Sequence, residues 1–259
     1  DDALALPVRT GRARVIGLQP RSLVTLNLVR DVAVDDAGLF QCALNPSLTK
    51  IAVIERHKAT GKIGLGLLEG YGLRGGAVAT TISHDSHNIV AAGDNDADML
   101  LAVRELERLG GGIVSVHEGV IRRLPLPIAG LMTSEAPETV SATLRAMIEA
   151  AHTELGIPEG VEPFMSLSFM ALPVIPELKL TARGLFNVNL FSFVGVEACS
   201  PEPPRKPIST RSPTTSSPSD VRSPRSPRPC STAASRFSST ARKRKRADKC
   251  SRNALNCAA

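Results

Sequence analysis

Aromatic side chains are scarce in this chain. Only 3% of its 259 residues are Phe, Tyr or Trp, with no Trp and a single Tyr. A core must therefore be built from Leu, Val, Ile, Ala and Met. At 42% hydrophobic content there is enough apolar material for one sizeable core or two small ones. No run of about 18 apolar residues occurs, so no membrane span is expected. The opening Asp1-Asp2-Ala3-Leu4 is acidic and lacks the basic-then-apolar pattern of a secretory signal. It also lacks an initiator methionine, and the chain is expected to begin partway through a longer protein. Cysteine is sparse as well. The five residues Cys42, Cys199, Cys230, Cys250 and Cys257 are odd in number, and none are spaced as CxxC. A disulfide framework or zinc knuckle is not expected, and a reducing cytoplasm is the plain reading.

The net charge of +6 averages two unlike parts. Residues 195–259 hold 14 of the 31 Lys and Arg but only 4 of the 25 Asp and Glu, leaving 17 basic against 21 acidic residues in 1–194. The body is thus mildly acidic, and the whole basic excess lies in the tail. That tail also carries 9 of the 19 prolines and 13 serines. Such a composition cannot bury enough apolar surface to offset its ordering entropy, so 195–259 is expected to be a disordered basic segment. The run Arg242-Lys243-Arg244-Lys245-Arg246 has two readings. One is a nuclear-import or nucleic-acid patch. The other is the product of a translation frameshift near codon 195. The second is preferred, because compositional bias alone is weak evidence. Only Phe237 is interleaved with the basic residues, so a base-stacking platform is unsupported and nucleic acid is not the expected partner.

The body, 1–194, alternates strand-like and helix-like patterns, and the expected fold class is α/β: one compact domain of mixed strands and helices. Short strands are expected at Arg14–Leu18 and Ser22–Leu26, and stronger ones at Lys50–Arg56, Gly76–Ser83 and Ile89–Gly93. A helix is expected near 95–109, capped by Asp94-Asn95-Asp96 and ended by Gly110-Gly111-Gly112. Two further strands, Ile113–Val116 and Val120–Leu124, should flank a hairpin turn at His117-Glu118-Gly119. A second helix is expected from about Pro137 to Leu155, burying Val140, Leu144, Ile148, Ala151 and Leu155. Gly64-x-Gly66 and Gly70-x-Gly72 lack a following helix or a Gly-Lys-Ser/Thr, so they read as tight turns or close packing and not as a phosphate cradle. Pro125, Pro127, Pro173 and Pro176 should fix extended segments. Met165 and Met170 are expected in the core.

Several stretches are unusual enough to compare with known families. They are Ile51-Ala52-Val53-Ile54-Glu55-Arg56-His57, Gly70-Tyr71-Gly72-Leu73, and Ile82-Ser83-His84-Asp85-Ser86-His87-Asn88-Ile89. Further on come Leu124-Pro125-Leu126-Pro127-Ile128-Ala129-Gly130-Leu131-Met132 and the run Leu167–Thr181. In this order, and over most of residues 10–194, they resemble the C-terminal domain of bacterial and archaeal adenine deaminases. The resemblance implies an amidohydrolase that hydrolyses adenine to hypoxanthine and ammonia. It implies a preceding (β/α) barrel that holds manganese or iron. The chain's five histidines, His57, His84, His87, His117 and His152, include no His-x-His pair. No metal is therefore expected on this chain alone, and the isolated fragment should be inactive. The implied partners are adenine, the missing barrel and further copies of the chain in a homo-oligomer.

The most chemical stretch is His84-Asp85-Ser86-His87-Asn88, at an expected strand end, where α/β folds commonly carry sites. His84, Asp85 and His87 are the candidates for assisting catalysis, as proton carriers or orienting groups. Ser86 and Asn88 are the candidates for substrate binding. The alternative is a hydrogen-bonded turn that locks the strand end. The same two options apply to Glu55-Arg56-His57, which could face the barrel or be a solvated strand terminus, the latter being preferred. A non-catalytic module that stabilises the barrel or an oligomer is the competing reading of the whole chain.

Overall fold

The stretches richest in Val, Ile and Ala become the middle of one sheet. The computed structural model describes residues 2–198. Its eight-stranded sheet is built from β1 (Arg12–Gly17), β2 (Leu26–Asp31), β3 (Leu48–Ile54), β4 (Ile63–Glu69), β5 (Gly76–Thr80), β6 (Ile89–Gly93), β7 (Gly112–His117) and β8 (Val120–Pro125). The spatial order is β2-β1-β4-β3-β6-β5-β7-β8. All neighbours are antiparallel except β1 and β4, which run parallel. The helices α1 (Asp96–Leu109), α2 (Pro137–Thr153) and α3 (Pro163–Met170) cover it, with a second sheet of β9 (Leu178–Thr181), β10 (Gly184–Asn187) and β11 (Ser192–Phe193). The expected α/β domain of mixed strands and helices is what forms.

Strands β5 and β6 are buried at every residue, which explains why they read as unbroken apolar runs. Alternation along the strands sorts side chains by size. Ala52, Ala77, Ala79 and Ala91 face α1, where they pack with Met99, Ala102 and Leu106. Ile51, Val53, Val78 and Val90 face the other way, against Met147 of α2, Leu167 of α3 and Leu180 of β9. Helix α1 starts where the Asn95 side chain accepts the Asp98 amide and ends at Gly110 in the left-handed conformation. Helix α2 begins with Pro137 in its first turn and ends at Thr153, short of the expected Leu155; Ala151 and Leu155 are buried, while Val140, Leu144 and Ile148 are only partly so. The hairpin turn lies at Glu118-Gly119, between β7 and β8.

Some expectations are corrected. No strand forms at Ser22–Leu26; the strand starts at Leu26 and runs to Asp31. The Ser22 hydroxyl accepts the Val24 amide in a turn, and Thr25 exchanges backbone hydrogen bonds with Pro176 and Glu177 instead of joining the large sheet. β3 stops at Ile54, two residues before the expected Arg56, because the Glu55 carboxylate gathers the amides of His57, Lys58 and Thr60 into a loop. Helix α3 and the β9–β11 sheet were not expected as such. Met170 is buried, but Met165 is 57% exposed. At the other end of the body, ordered contacts run through Ala198, which donates to the Arg12 carbonyl while Arg14 donates to that of Val196. The serine- and arginine-rich segment from Cys199 onward, including Arg242–Arg246, lies outside the described residues.

Gly64 is a case of close approach. A Cβ added there would sit 1.9 Å from the Thr181 carbonyl oxygen, whereas one added at Gly66 would find its nearest neighbour at 3.5 Å. Gly64→Ala is expected to push β9 off β4 and cost about 1–3 kcal/mol. Gly66→Ala should stay within roughly 0.5 kcal/mol of the parent, and urea unfolding of both variants checks the contrast. Lys179 is fully buried and donates to the Leu23 carbonyl at 2.9 Å. Burial lowers its ammonium pKa from an ordinary 10.5 to about 8. In that interval the unfolded chain binds the extra proton, so stability should rise between pH 8 and 10.5, by at most roughly 3 kcal/mol. Lys179→Met should abolish that rise in a series of melts against pH.

Candidate functional site

Three of the distinctive stretches meet at one end of the large sheet. β3 delivers Glu55, Arg56 and His57; the connection from β5 to β6 delivers Ser83–Asn88; and the connection from β8 to α2 delivers Ile128–Met132. Arg56 joins them. Its Nε donates to the His87 carbonyl at 2.6 Å, and its Nη2 donates to the Ala129 carbonyl at 2.7 Å. The next residue along acts in the same direction, with His57 Nε2 lying 2.8 Å from the Ser86 carbonyl and 3.1 Å from that of His87. Thr81 adds a further tie, its hydroxyl donating to the Gly130 carbonyl at 2.6 Å and accepting the Gly112 amide at 2.8 Å. Gly130 is required here, because a Cβ would lie 2.5 Å from Arg56 Nη2 and its φ is +75°.

Burial lowers the Arg56 pKa, and its carbonyl partners offset that desolvation. The Glu55 carboxylate lies well below the usual range, at about 2. The Thr60 amide contributes most, followed by the Thr60 hydroxyl and the Lys58 and His57 amides. Glu55 therefore organises its own loop, and His57 holds the neighbouring one. Neither is a free terminus.

The five-residue cluster is divided in two. His84 and Asp85 lie on the open side, with side chains 44% and 90% exposed and Nδ1 3.7 Å from Oδ1. The His84 ring rests against Phe169 with centroids 4.5 Å apart, and its amide donates to the Ser168 carbonyl of α3. Ser86 is exposed, and its hydroxyl lies 3.3 Å from that of Ser83. His87 and Asn88 turn inward. His87 adopts φ 48° and donates its amide to the Ser83 carbonyl. Its Nδ1 is buried without a hydrogen-bond partner, as is Asn88 Oδ1. Beside His84 a cleft of about 400 Å³ opens between α2, α3 and the ends of β5 and β7. Among the described residues no three His, Cys, Asp or Glu side chains come together as a metal site, so these residues do not fit manganese or iron.

The sequence profile of the adenine deaminase C-terminal domain matches residues 22–192. The chain belongs to that family. It is 61% identical over 197 residues to an adenine deaminase of Nitratidesulfovibrio vulgaris (strain Hildenborough), covering 76% of this chain and 34% of that protein. An adenine deaminase of Clostridium acetobutylicum is 45% identical over 195 residues, or 75% of this chain and 34% of the relative. An adenine deaminase 2 of Carboxydothermus hydrogenoformans is 47% identical over 196 residues, with the same coverage. The chain thus spans about a third of the length of the curated relatives it matches.

The carbonyl clamp makes a measurable demand. Arg56→Ala removes two charge-assisted hydrogen bonds and is expected to cost about 1.5–3 kcal/mol. It should also accelerate amide exchange at His87. Arg56→Lys offers a point donor in place of a fork and should recover less than half of the loss. Unchanged exchange at His87 in the alanine variant would mean that the loop holds its shape without the clamp.

Proposed function

We propose that this chain is the C-terminal domain of an enzyme that hydrolyses adenine to hypoxanthine and ammonia, with His84 and Asp85 assisting a reaction centre formed by the remainder of the protein. The observation that carries this reading is the division within the cluster. The loop is anchored from below by Arg56 and His57, while the His84 side chain borders a cleft and that of Asp85 stands open to solvent beside it. Anchoring behind and exposure in front is the arrangement that presents a side chain to a substrate from outside the domain.

In the reaction, the oxygen of water bonds to C6 of the purine and the C6–N bond breaks. One water proton leaves with the amine as ammonia, and the other ends on the ring. An imidazole carries protons readily near neutral pH, so His84 is assigned the transfer toward the leaving amine. Asp85, with its Oδ1 3.7 Å from the His84 Nδ1, is assigned to orient that ring. Ser86 is placed to meet a polar edge of the substrate, while His87 and Asn88 shape the loop from within. The described residues do not fit a metal, and the roles assigned to this chain use its side chains alone. The manganese or iron, the barrel, the homo-oligomer and the cytoplasmic setting belong to the same reading and rest on the family resemblance. A structural module is the second reading. It is favoured by the inward-facing His87 and Asn88 and by the number of hydrogen bonds spent on holding the loop.

In a full-length adenine deaminase carrying this domain, His84→Ala is expected to lower kcat about 10²–10⁴-fold. Asp85→Ala should lower it less, and both variants should keep the parent's metal content and melting temperature. The 259-residue chain alone should release no ammonia from adenine. Full activity in both variants would leave the loop its structural role only, and ammonia release by the isolated chain would place the reaction centre within it.

A further inference from the structure

We propose that the open face of the small sheet, with Phe191 as its anchor, is the surface on which the rest of the full-length polypeptide docks. Three of the chain's seven phenylalanines gather there. Phe186 pairs with Lys179 of β9 on one side and with Phe193 of β11 on the other, so the three side chains form one row across the sheet. The Leu23 carbonyl accepts from the Lys179 ammonium, and that end of the row is buried. The other end is open. Phe193 is 44% exposed and Phe191 81%, and Leu190, next to Phe191 in the chain, is exposed as well. Both rings stand edge-on to Phe186, with centroids 5.2 Å and 5.5 Å from it. The exposed Arg183 lies over the Phe193 ring, 4.7 Å from its centroid, so the patch is apolar with a cation at its rim.

Phe191 is held there against its own backbone preference. It closes the turn between β10 and β11 with φ 50°, a left-handed position that Gly or Asn takes readily and a bulky side chain does not. Such strain persists where function retains it; here it sets the ring against Phe186 and leaves most of it outside. The size of the patch selects the occupant. A buried aromatic side chain covers about 150–250 Å², so the open parts of Phe191 and Phe193 amount to roughly 200–300 Å². Leu190 brings the patch only to the few hundred Å² typical of a single exposed apolar surface. Two free copies of the chain meeting here would fall short of the roughly 800 Å² per partner of a standard association. A tethered domain needs less, about 600–1,500 Å² in all, because the linker keeps its partner at high local concentration. The chain spans 34% of the length of its relatives from Nitratidesulfovibrio vulgaris and Clostridium acetobutylicum, and in those proteins a tethered partner is present. The occupant is therefore an apolar surface of that remainder, with an acidic side chain at its edge to meet Arg183. The inference rests on the chain's share of its relatives' length and not on the roles given to His84 and Asp85. Exposure tests the one and turnover the other, so either can fail alone.

The test is hydroxyl-radical footprinting at equal radical dose, read by mass spectrometry. It compares the 259-residue chain with a full-length adenine deaminase carrying this domain. In the chain alone, Phe191 and Phe193 should be oxidised freely at every protein concentration. In the full-length protein both should be oxidised several-fold less. Phe191→Asn removes the ring and keeps the turn, since asparagine adopts the left-handed conformation readily. In a full-length variant that circular dichroism shows to be folded, oxidation of Phe193 should rise several-fold, toward its level in the chain alone. Equal oxidation of both rings in the two parent proteins would overturn the proposal, as would protection of Phe193 that survives Phe191→Asn. Protection already present in the chain alone would overturn it too and would name another occupant. That occupant is a second copy if the protection fades on dilution, and the segment 199–259 if it is lost when that segment is removed.

Discussion

The middle of the eight-stranded sheet is covered on both faces, and that constraint governs how the rest of the domain is arranged. A strand buried on both sides cannot alternate polar with apolar, so here it alternates small with branched. Ala52, Ala77, Ala79 and Ala91 let α1 lie close on one face. Ile51, Val53, Val78 and Val90 supply the bulk that α2, α3 and the small sheet pack against on the other. Exchanging the two sets would leave cavities under one layer and overfill the other, at a cost of a few kcal/mol per exchanged pair. Because neither face has room for a polar site, the chemistry-bearing residues gather at the end of the sheet, where chain connections emerge.

At that end, rigidity comes from carbonyl oxygens held by cationic and imidazole donors, with few side chains packed against each other. Arg56 and His57 sit on consecutive residues, yet both reach the same loop because β3 has already ended. Thr81 fastens the neighbouring turn through Gly130 and Gly112. The outcome is a loop whose backbone is fixed while its first two side chains remain available. A site built in this way tolerates substitution at its tip better than at its anchors, since the anchors determine where the tip points.

Much of this was legible from local pattern. Asn95 and Gly110 marked both ends of α1 because caps are written in single residues. The cluster at 84–88 was legible as chemistry because its residue types are rarely placed together. The role of Arg56 was not, since its two acceptors lie 31 and 73 residues away and no spacing rule connects them. The expected strand at Ser22–Leu26 failed for the same reason. Thr25 has strand propensity, but its partners are Pro176–Leu178, about 150 residues on. The β9–β11 sheet went unread because two prolines, Pro173 and Pro176, made its approach look merely extended.

Lys179 has a consequence of a different kind. At mildly alkaline pH about half of a buried amine with a pKa near 8 is uncharged, and the uncharged amine is the nucleophile. Exposed lysines under the same conditions are almost wholly protonated. Among the lysines of the described residues, the amine most ready to react with an acylating reagent is thus the one sealed beneath the loop that offers Leu23 as its acceptor. Its rate of modification becomes a clock for the opening of that loop, set by the domain's own motion and needing no introduced label.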